Sequence, residues 1–387
     1  VSVTTQRDEI RGYHAVRAAA RDYGTYSSEL IGDRDTRDYR ALPLETDPPA
    51  HTRYRAAVQP LFMSSAIGPK AASFQQLADR LLTSMTAAGG NLPDDLALPY
   101  VMGCLATIFN RPQDLAEWTS WGPDVWLADA YARGLDIEES RRVTRYRDFA
   151  VGSLRSGRTL HDYLERVYRQ TRPAAPDADP STTDVWSWLA GRQIDGAPLS
   201  RDEWFGVAHL LLAGGRDTVI KLITGIAWHL IAAPADLAHL RAHPEAHNAF
   251  LAEMLRFLTP IGSMERLHPD PDRRALPADD PRRYIRLNFS SANHDPSIFS
   301  GPDHIDVHRD RKPHLAFGFG RHSCIGMNIT EFEGHAFLRA FLAHPTIWRF
   351  AEEPDITWEI DDRDGTTIRV LESFRRVPVV AVSTSRA

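Results

Sequence analysis

From residue 200 to about residue 230 the chain keeps a helical spacing of apolar residues without a proline, a run of roughly 45 Å at 1.5 Å per residue. Ser200 and Glu203 form a capping box at its start. A helix of that length belongs in the middle of a large, mostly helical body. Its centre reads Leu211-Leu212-Ala213-Gly214-Gly215-Arg216-Asp217-Thr218. Two adjacent glycines cost a helix on the order of 1 kcal/mol each relative to alanine, so a buried helix that keeps them needs the space they leave.

Helical spacing also marks 67–87, 97–109, 157–170, 246–258 and 327–342, while short β-like stretches fall at 284–288, 355–360, 366–371 and 377–382. The pattern predicts a mainly α fold with small β-sheets, not an alternating βαβ chain. At 387 residues and 43% hydrophobic the chain can bury a large core. No linker divides it, and the proline-rich runs 172–180 and 268–283 read as surface loops of one domain spanning 1–387.

A net charge of −6 gives no support for nucleic-acid binding. Two cysteines, Cys104 and Cys324, leave no disulfide framework and fit a reducing compartment. Cys104 sits in an apolar helical run and reads as core. No stretch reaches the roughly 18 apolar residues needed to span a bilayer, and residues 1–8 carry no signal peptide. A soluble, cytoplasmic protein is expected.

The chemistry concentrates in Phe317-Gly318-Phe319-Gly320-Arg321-His322-Ser323-Cys324-Ile325-Gly326, a glycine-rich turn that presents one cysteine directly ahead of a helix. Backbone N–H groups and a helix N-terminus near the sulfur stabilise a thiolate. The stretch closely resembles the haem-ligand loop of the cytochromes P450, most nearly the soluble bacterial class of the camphor-hydroxylase type. The resemblance implies that fold, with haem b held between the long central helix and the cysteine-loop helix. Cys324 is then the axial thiolate and metal ligand, Phe317 covers the proximal side, and Gly326, like Gly320, lets backbone approach the porphyrin. The plain alternative is an inert cysteine in a turn.

The same resemblance covers four more segments. Gly214 and Gly215 correspond to the groove where O2 binds, with Asp217 and Thr218 delivering protons for O–O cleavage; the competing reading bonds Thr218 back to the carbonyl one turn earlier and puts Asp217 in an ion pair. Glu253 and Arg256 match the ExxR helix, a structural pair joined by a further arginine downstream. In Asp47-Pro48-Pro49-Ala50-His51-Thr52-Arg53-Tyr54-Arg55, His51 and Arg55 share a helix face and match the propionate-binding helix. Arg266 and His322 complete the four donors for the two haem propionates.

Substrate contacts are expected by the same mapping at Tyr39, Leu210, Ala213, Ile261, Val370 and Leu371. The lid region 111–172 is longer than in compact relatives and carries Trp118, Trp121 and Trp126. The N-terminus looks short by a few dozen residues beside the family. Arg53, Arg309, Arg311, Lys312 and Arg321 are candidates for a basic face toward an acidic electron donor. The sixteen histidines form no zinc pattern.

The implied activity is a monooxygenase that takes electrons from ferredoxin and ferredoxin reductase, uses O2, and oxidises a small organic molecule such as a terpenoid, aromatic or natural-product intermediate. A peroxide-driven peroxygenase, an oxidative-coupling enzyme and a haem-thiolate sensor without turnover are the alternatives. The Asp217-Thr218 pair weighs against the first and the last.

Overall fold

The helices that surround the middle of the molecule follow from their apolar patterns. The computed structural model describes residues 8–30, 39–121, 160–277, 280–363 and 366–382. The helices used below are α1 (Tyr13–Arg21), α2 (Ala50–Val58), α3 (Ala71–Met85), α4 (Leu98–Ile108), α5 (Leu115–Ser120), α6 (Leu160–Gln170), α7 (Val185–Ala190), α8 (Arg201–Ala213), α9 (Asp217–Ala232), α10 (His247–Leu258) and α11 (Met327–Ala343). In α3 a single stripe of Phe74, Ala78, Leu82 and Met85 is buried. In α4 nearly every residue is buried, as expected of a helix that is apolar all round.

The long central run is not one helix. The Ser200 box caps α8 as expected: Ser200 Oγ accepts from the Glu203 N–H, and Glu203 Oε2 accepts from the Ser200 N–H at 2.7 Å. The helix then stops at Ala213 and resumes at Asp217. Gly214 and Gly215 weaken the turn, and Arg216 buries its whole side chain sideways, donating to Met102 Sδ at 2.9 Å and to the Trp118 carbonyl at 3.0 Å.

Three small sheets lie at the margins, besides a short β-ribbon at 193–198. Asp8–Ile10 pairs parallel with Tyr284–Asn288, which pairs antiparallel with Ser263–Leu267. Gly90–Asn91, Pro378–Ala381 and Trp348–Phe350 make a second sheet, and Asp355–Arg363 with Thr366–Arg376 a hairpin. All four β-like stretches of the sequence are therefore strands. One buried cluster draws on residues from Tyr39 to Val379; a smaller one joins α1 to Leu287, Phe289, Phe299 and Leu315. Among the described residues no single helix is long and apolar enough to cross a membrane.

Trp118 and Trp121 are core residues, both edge-on to the Tyr163 ring. Trp126 lies outside the described residues.

Candidate active site

The cysteine loop is shaped by two glycines in the left-handed region, Gly318 at φ 66° and Gly320 at φ 75°. Gly320 is also constrained by space, since a Cβ there would lie 2.7 Å from the Ala20 carbonyl oxygen. The Cys324 N–H donates to the Phe317 carbonyl at 2.8 Å and closes the loop, and α11 begins three residues later. Burial pushes the thiol pKa of Cys324 up, while the Gly326 N–H and the Arg55 charge pull it down. The residue is nonetheless exposed, because it opens onto an internal cavity.

That cavity measures about 400 Å³. Its wall takes in Phe317, Cys324 and Gly326 from the loop, Gly214, Gly215 and Thr218 from the break between α8 and α9, and the four expected donors His51, Arg55, Arg266 and His322. Elements more than two hundred residues apart in sequence thus meet around one space.

The donors are held in place by the chain itself. Arg55 donates to the Ser323 carbonyl at 2.7 Å, and Arg266, 4% exposed, donates to its neighbour Glu265's carbonyl at 2.7 Å. Neither guanidinium has a carboxylate within ion-pair distance among the described residues. Burial lowers Arg266 to about 10, with Asp47 opposing the shift. His322 contacts Asp47 at 3.3 Å and meets the His51 ring edge-on at 4.5 Å. Burial raises Asp47, but bonds from His322, Ser27 and Ser28 outweigh it and hold the carboxylate below its usual range. Burial, then the His322 and Arg55 charges, lower His51 to about 4, and its Nδ1 is buried without a partner. A buried and a half-buried guanidinium without carboxylate partners, and an orphaned ring nitrogen, on one cavity wall call for an anionic ligand, and haem with its two carboxylates fits them.

Thr218 Oγ1 donates to the Gly214 carbonyl at 3.1 Å, the local bond that the sequence left open as an alternative. Asp217 opens α9 in its first turn. Glu253 and Arg256 are fully buried and joined by two 2.8 Å bonds. The third member is Arg309, whose Nε lies 2.9 Å from Glu253 Oε2. Arg309 therefore does not belong to an exposed basic face; its side chain is spent on this pair. Arg53 is likewise engaged with Asp195.

Of the expected substrate contacts, Leu210 and Ile261 line the cavity. Tyr39, Ala213, Val370 and Leu371 do not. Tyr39 is buried with its hydroxyl 2.7 Å from His209 Nδ1, Ala213 is buried one turn beyond Leu210 without reaching the wall, and Val370 and Leu371 are buried in the hairpin's packing. The wall also includes Phe62, Leu105, Phe109, Val207 and Met264, which the sequence did not single out. Leu105 and Phe109, four apart on an all-apolar stretch, carried only a core signal.

A family model described as Cytochrome P450 matches residues 239–347. The chain is 30% identical over 305 residues to the steroid C26-monooxygenase of Mycobacterium tuberculosis (strain CDC 1551 / Oshkosh), covering 76% of each protein. It is 29% identical to the cytochrome P450 monooxygenase PikC of Streptomyces venezuelae, covering 77% of this chain and 67% of that one. Among solved structures, a carbohydrate-active P450 superposes with a TM-score of 0.71 at 25% identity, over 96% of this chain and 91% of that one. A mutant of P450 EryK in complex with erythromycin B gives 0.73 at 23% identity, over 98% and 92%. Fold, motif and relatives agree: this chain belongs to the cytochrome P450 family and is a P450 monooxygenase.

Proposed function

We propose that Cys324 is the thiolate ligand of haem b, and that the chain uses O2 and two electrons from a ferredoxin-type partner to hydroxylate an apolar small molecule. The observation that supports this most directly is the Cys324 side chain opening onto a cavity whose wall also carries Arg55 and Arg266 without carboxylate partners. Bound there, thiolate-ligated haem supplies oxygen activation and O–O cleavage. Arg55, Arg266, His51 and His322 hold the propionates, and Phe317 limits water at the sulfur. Gly214 and Gly215 leave room for a diatomic ligand, since neither puts a side chain into the cavity.

Thr218 holds a proton-bearing hydroxyl at the cavity wall, and Asp217, next to it at the start of α9, exchanges protons with solvent. For Thr218 to hand on a proton it must turn from the Gly214 carbonyl toward the cavity, a rotation about one bond.

Apart from the four donors and Cys324, the described wall is apolar, with only the hydroxyls of Thr218, Ser323 and Thr330 as polar side chains. That favours a substrate bound by shape and apolar contact, without ionic anchoring. The relative named for a steroid fits such a class. Work in the cytoplasm alongside ferredoxin reductase completes the proposal.

The deciding experiment is the reduced, CO-bound absorption spectrum. Wild type should show the red-shifted thiolate band and Cys324→His should lose it while retaining haem. A wild-type protein that binds haem and never shows the band overturns the assignment.

A further inference from the structure

Next to the cavity, on the side of α5 and α6, stands a continuous file of aromatic rings, all of them oxidisable Trp or Tyr except the first, Phe109. Phe109, on the cavity wall, lies 6.4 Å from Trp118 between ring centres. Trp118 is 6.0 Å from Tyr163, Tyr163 is 6.0 Å from Trp186, Trp186 is 5.6 Å from Trp204, and Trp204 is 5.2 Å from Tyr168. The rings come from α5, α6, α7 and α8, so the file is made by tertiary packing and not by one helix. Every member is buried except the last, since Tyr168 reaches the surface.

Packing alone would be served as well by phenylalanine or leucine. What sets Tyr163 apart is its polar end. Its hydroxyl donates to Asp114 Oδ2 at 2.7 Å and accepts from Trp186 Nε1 at 2.7 Å, while Arg111 Nε donates to the same Asp114 oxygen at 2.6 Å. A phenol and an indole therefore share one proton line that ends on a carboxylate. Guanidinium groups also stand over the rings, Arg166 at 5.3 Å from Tyr163 and Arg216 at 5.6 Å from Trp121. Positive charge there disfavours a cationic radical, so an oxidised ring has to shed its proton, and Tyr163 is the ring with a base in place.

We propose that Tyr163, with Asp114 as its proton acceptor, is the relay of a one-electron path that drains oxidising equivalents from the cavity to Tyr168 when no substrate consumes them. Burial, followed by the bond to Asp114, raises the phenol pKa, so Tyr163 is protonated at rest. In the first step Tyr163 gives one electron toward the cavity oxidant and its proton to Asp114, leaving a neutral phenoxyl radical and a carboxylic acid. Trp186 then passes the hydrogen of its N–H, electron and proton together, to the Tyr163 oxygen and becomes the radical. When an electron from Trp204 refills Trp186, the indole nitrogen takes back a proton from the Tyr163 hydroxyl and Tyr163 takes back the proton held on Asp114. Tyr168 supplies the electron to Trp204 and releases its phenol proton to solvent, and a small thiol in solution gives its hydrogen atom to the Tyr168 phenoxyl and is oxidised. Each transfer moves one electron, and every ring regains the proton it gave up.

The proposal rests on an oxidant forming in the cavity, as in the function proposed above, but the relay is testable without turnover. Dibromide radical anions, generated by pulse radiolysis, oxidise tryptophan in the full-length protein as purified. In wild type the indolyl signal should decay into a tyrosyl signal at a rate independent of protein concentration. Tyr163→Phe, which keeps the ring packing, should cut the tyrosyl yield several-fold, and Asp114→Asn should slow its appearance. Equal yields and rates in wild type and both variants overturn the relay, whatever the haem assignment. In the second arm the holoenzyme is reduced in air without substrate and oxidised residues are mapped by peptide mass spectrometry. The expected shift is from Tyr168 and Trp204 in wild type to Trp118 and Trp121 in Tyr163→Phe and in Trp186→Phe, the latter serving if the former does not fold. An unchanged map in a folded variant overturns the escape role.

Discussion

Arg55 donates a 2.7 Å hydrogen bond to the carbonyl of Ser323, the residue before Cys324, and so ties α2 to the cysteine loop across 268 positions of sequence. The same guanidinium faces the cavity and helps to hold the thiol pKa down. Arg55 thus lies beside Cys324 and on the same cavity wall as His51, Arg266 and His322.

Replacing it should therefore weaken haem binding more than folding. Arg55→Leu removes a hydrogen bond from a charged group, worth roughly 1.5–3 kcal/mol, which corresponds to about tenfold to a hundredfold faster haem loss. Arg55→Lys should fall between the two, because an ammonium keeps the charge but not the fork. Haem transfer to an apomyoglobin scavenger measures the rate; identical rates in all three proteins would show that Arg55 does not face the cofactor.

Thr218→Ala should uncouple electron use from product. The expected result is a several-fold lower yield of product per NADH, with peroxide released, while the substrate-induced spin shift keeps its midpoint. Thr218→Ser should restore much of the coupling, since it keeps the hydroxyl. Unchanged coupling in Thr218→Ala would leave the Gly214 bond as the whole role of this side chain.

Gly206 packs directly under the segment that follows Tyr39. A Cβ there would meet the Arg40 carbonyl oxygen at 2.1 Å, a backbone atom that cannot swing away as a side chain can. Gly206→Ala should cost about 1–3 kcal/mol of overpacking and displace Leu42, Pro43 and Leu44, which line the cavity. Thermal unfolding should record the loss and substrate titration a weaker midpoint. A variant as stable as wild type, with unaltered binding, would mean that the segment yields freely.

Acid should destabilise the fold through buried histidines. Burial, with smaller effects from the Arg256 and Lys221 charges, lowers His294 from the ordinary 6.5 to about 4. Between those values the unfolded chain binds a proton that the folded one does not. The stability that the neutral ring brings is complete above about pH 6.5, is lost as pH falls toward 4, and levels off below that. The slope is at most about 1.4 kcal/mol per pH unit for one such group. Urea midpoints of wild type and His294→Gln at pH 7, 6 and 5 test this, with a shallower slope expected in the variant; parallel slopes would point to other groups.

The features legible in the sequence are those whose meaning is local. The Ser200 capping box, the Glu253–Arg256 spacing and the glycine turn before Cys324 each fit within a few residues, and the structure shows the bonds or backbone angles they call for. What stayed hidden depends on which way a helix faces. Leu210 lines the cavity and Ala213, one turn on, does not. Spacing alone cannot choose the face when α8 is buried on nearly every side. Tyr39 sits in a charged stretch, and only the fold reveals that its hydroxyl meets His209 inside the protein. Arg309 was one of several arginines downstream of Glu253, and its selection needed the loop's path through space.

The close fit of Gly320 against the Ala20 carbonyl carries a consequence for biosynthesis. The cysteine loop takes its final shape only once a helix near the start of the chain has reached it, so the site is completed after nearly all of the polypeptide has left the ribosome. Until then the loop lacks one of its walls. On the proposed haem assignment, cofactor capture falls at the end of assembly, and a chain truncated before its last quarter lacks Cys324 and with it the proposed ligand.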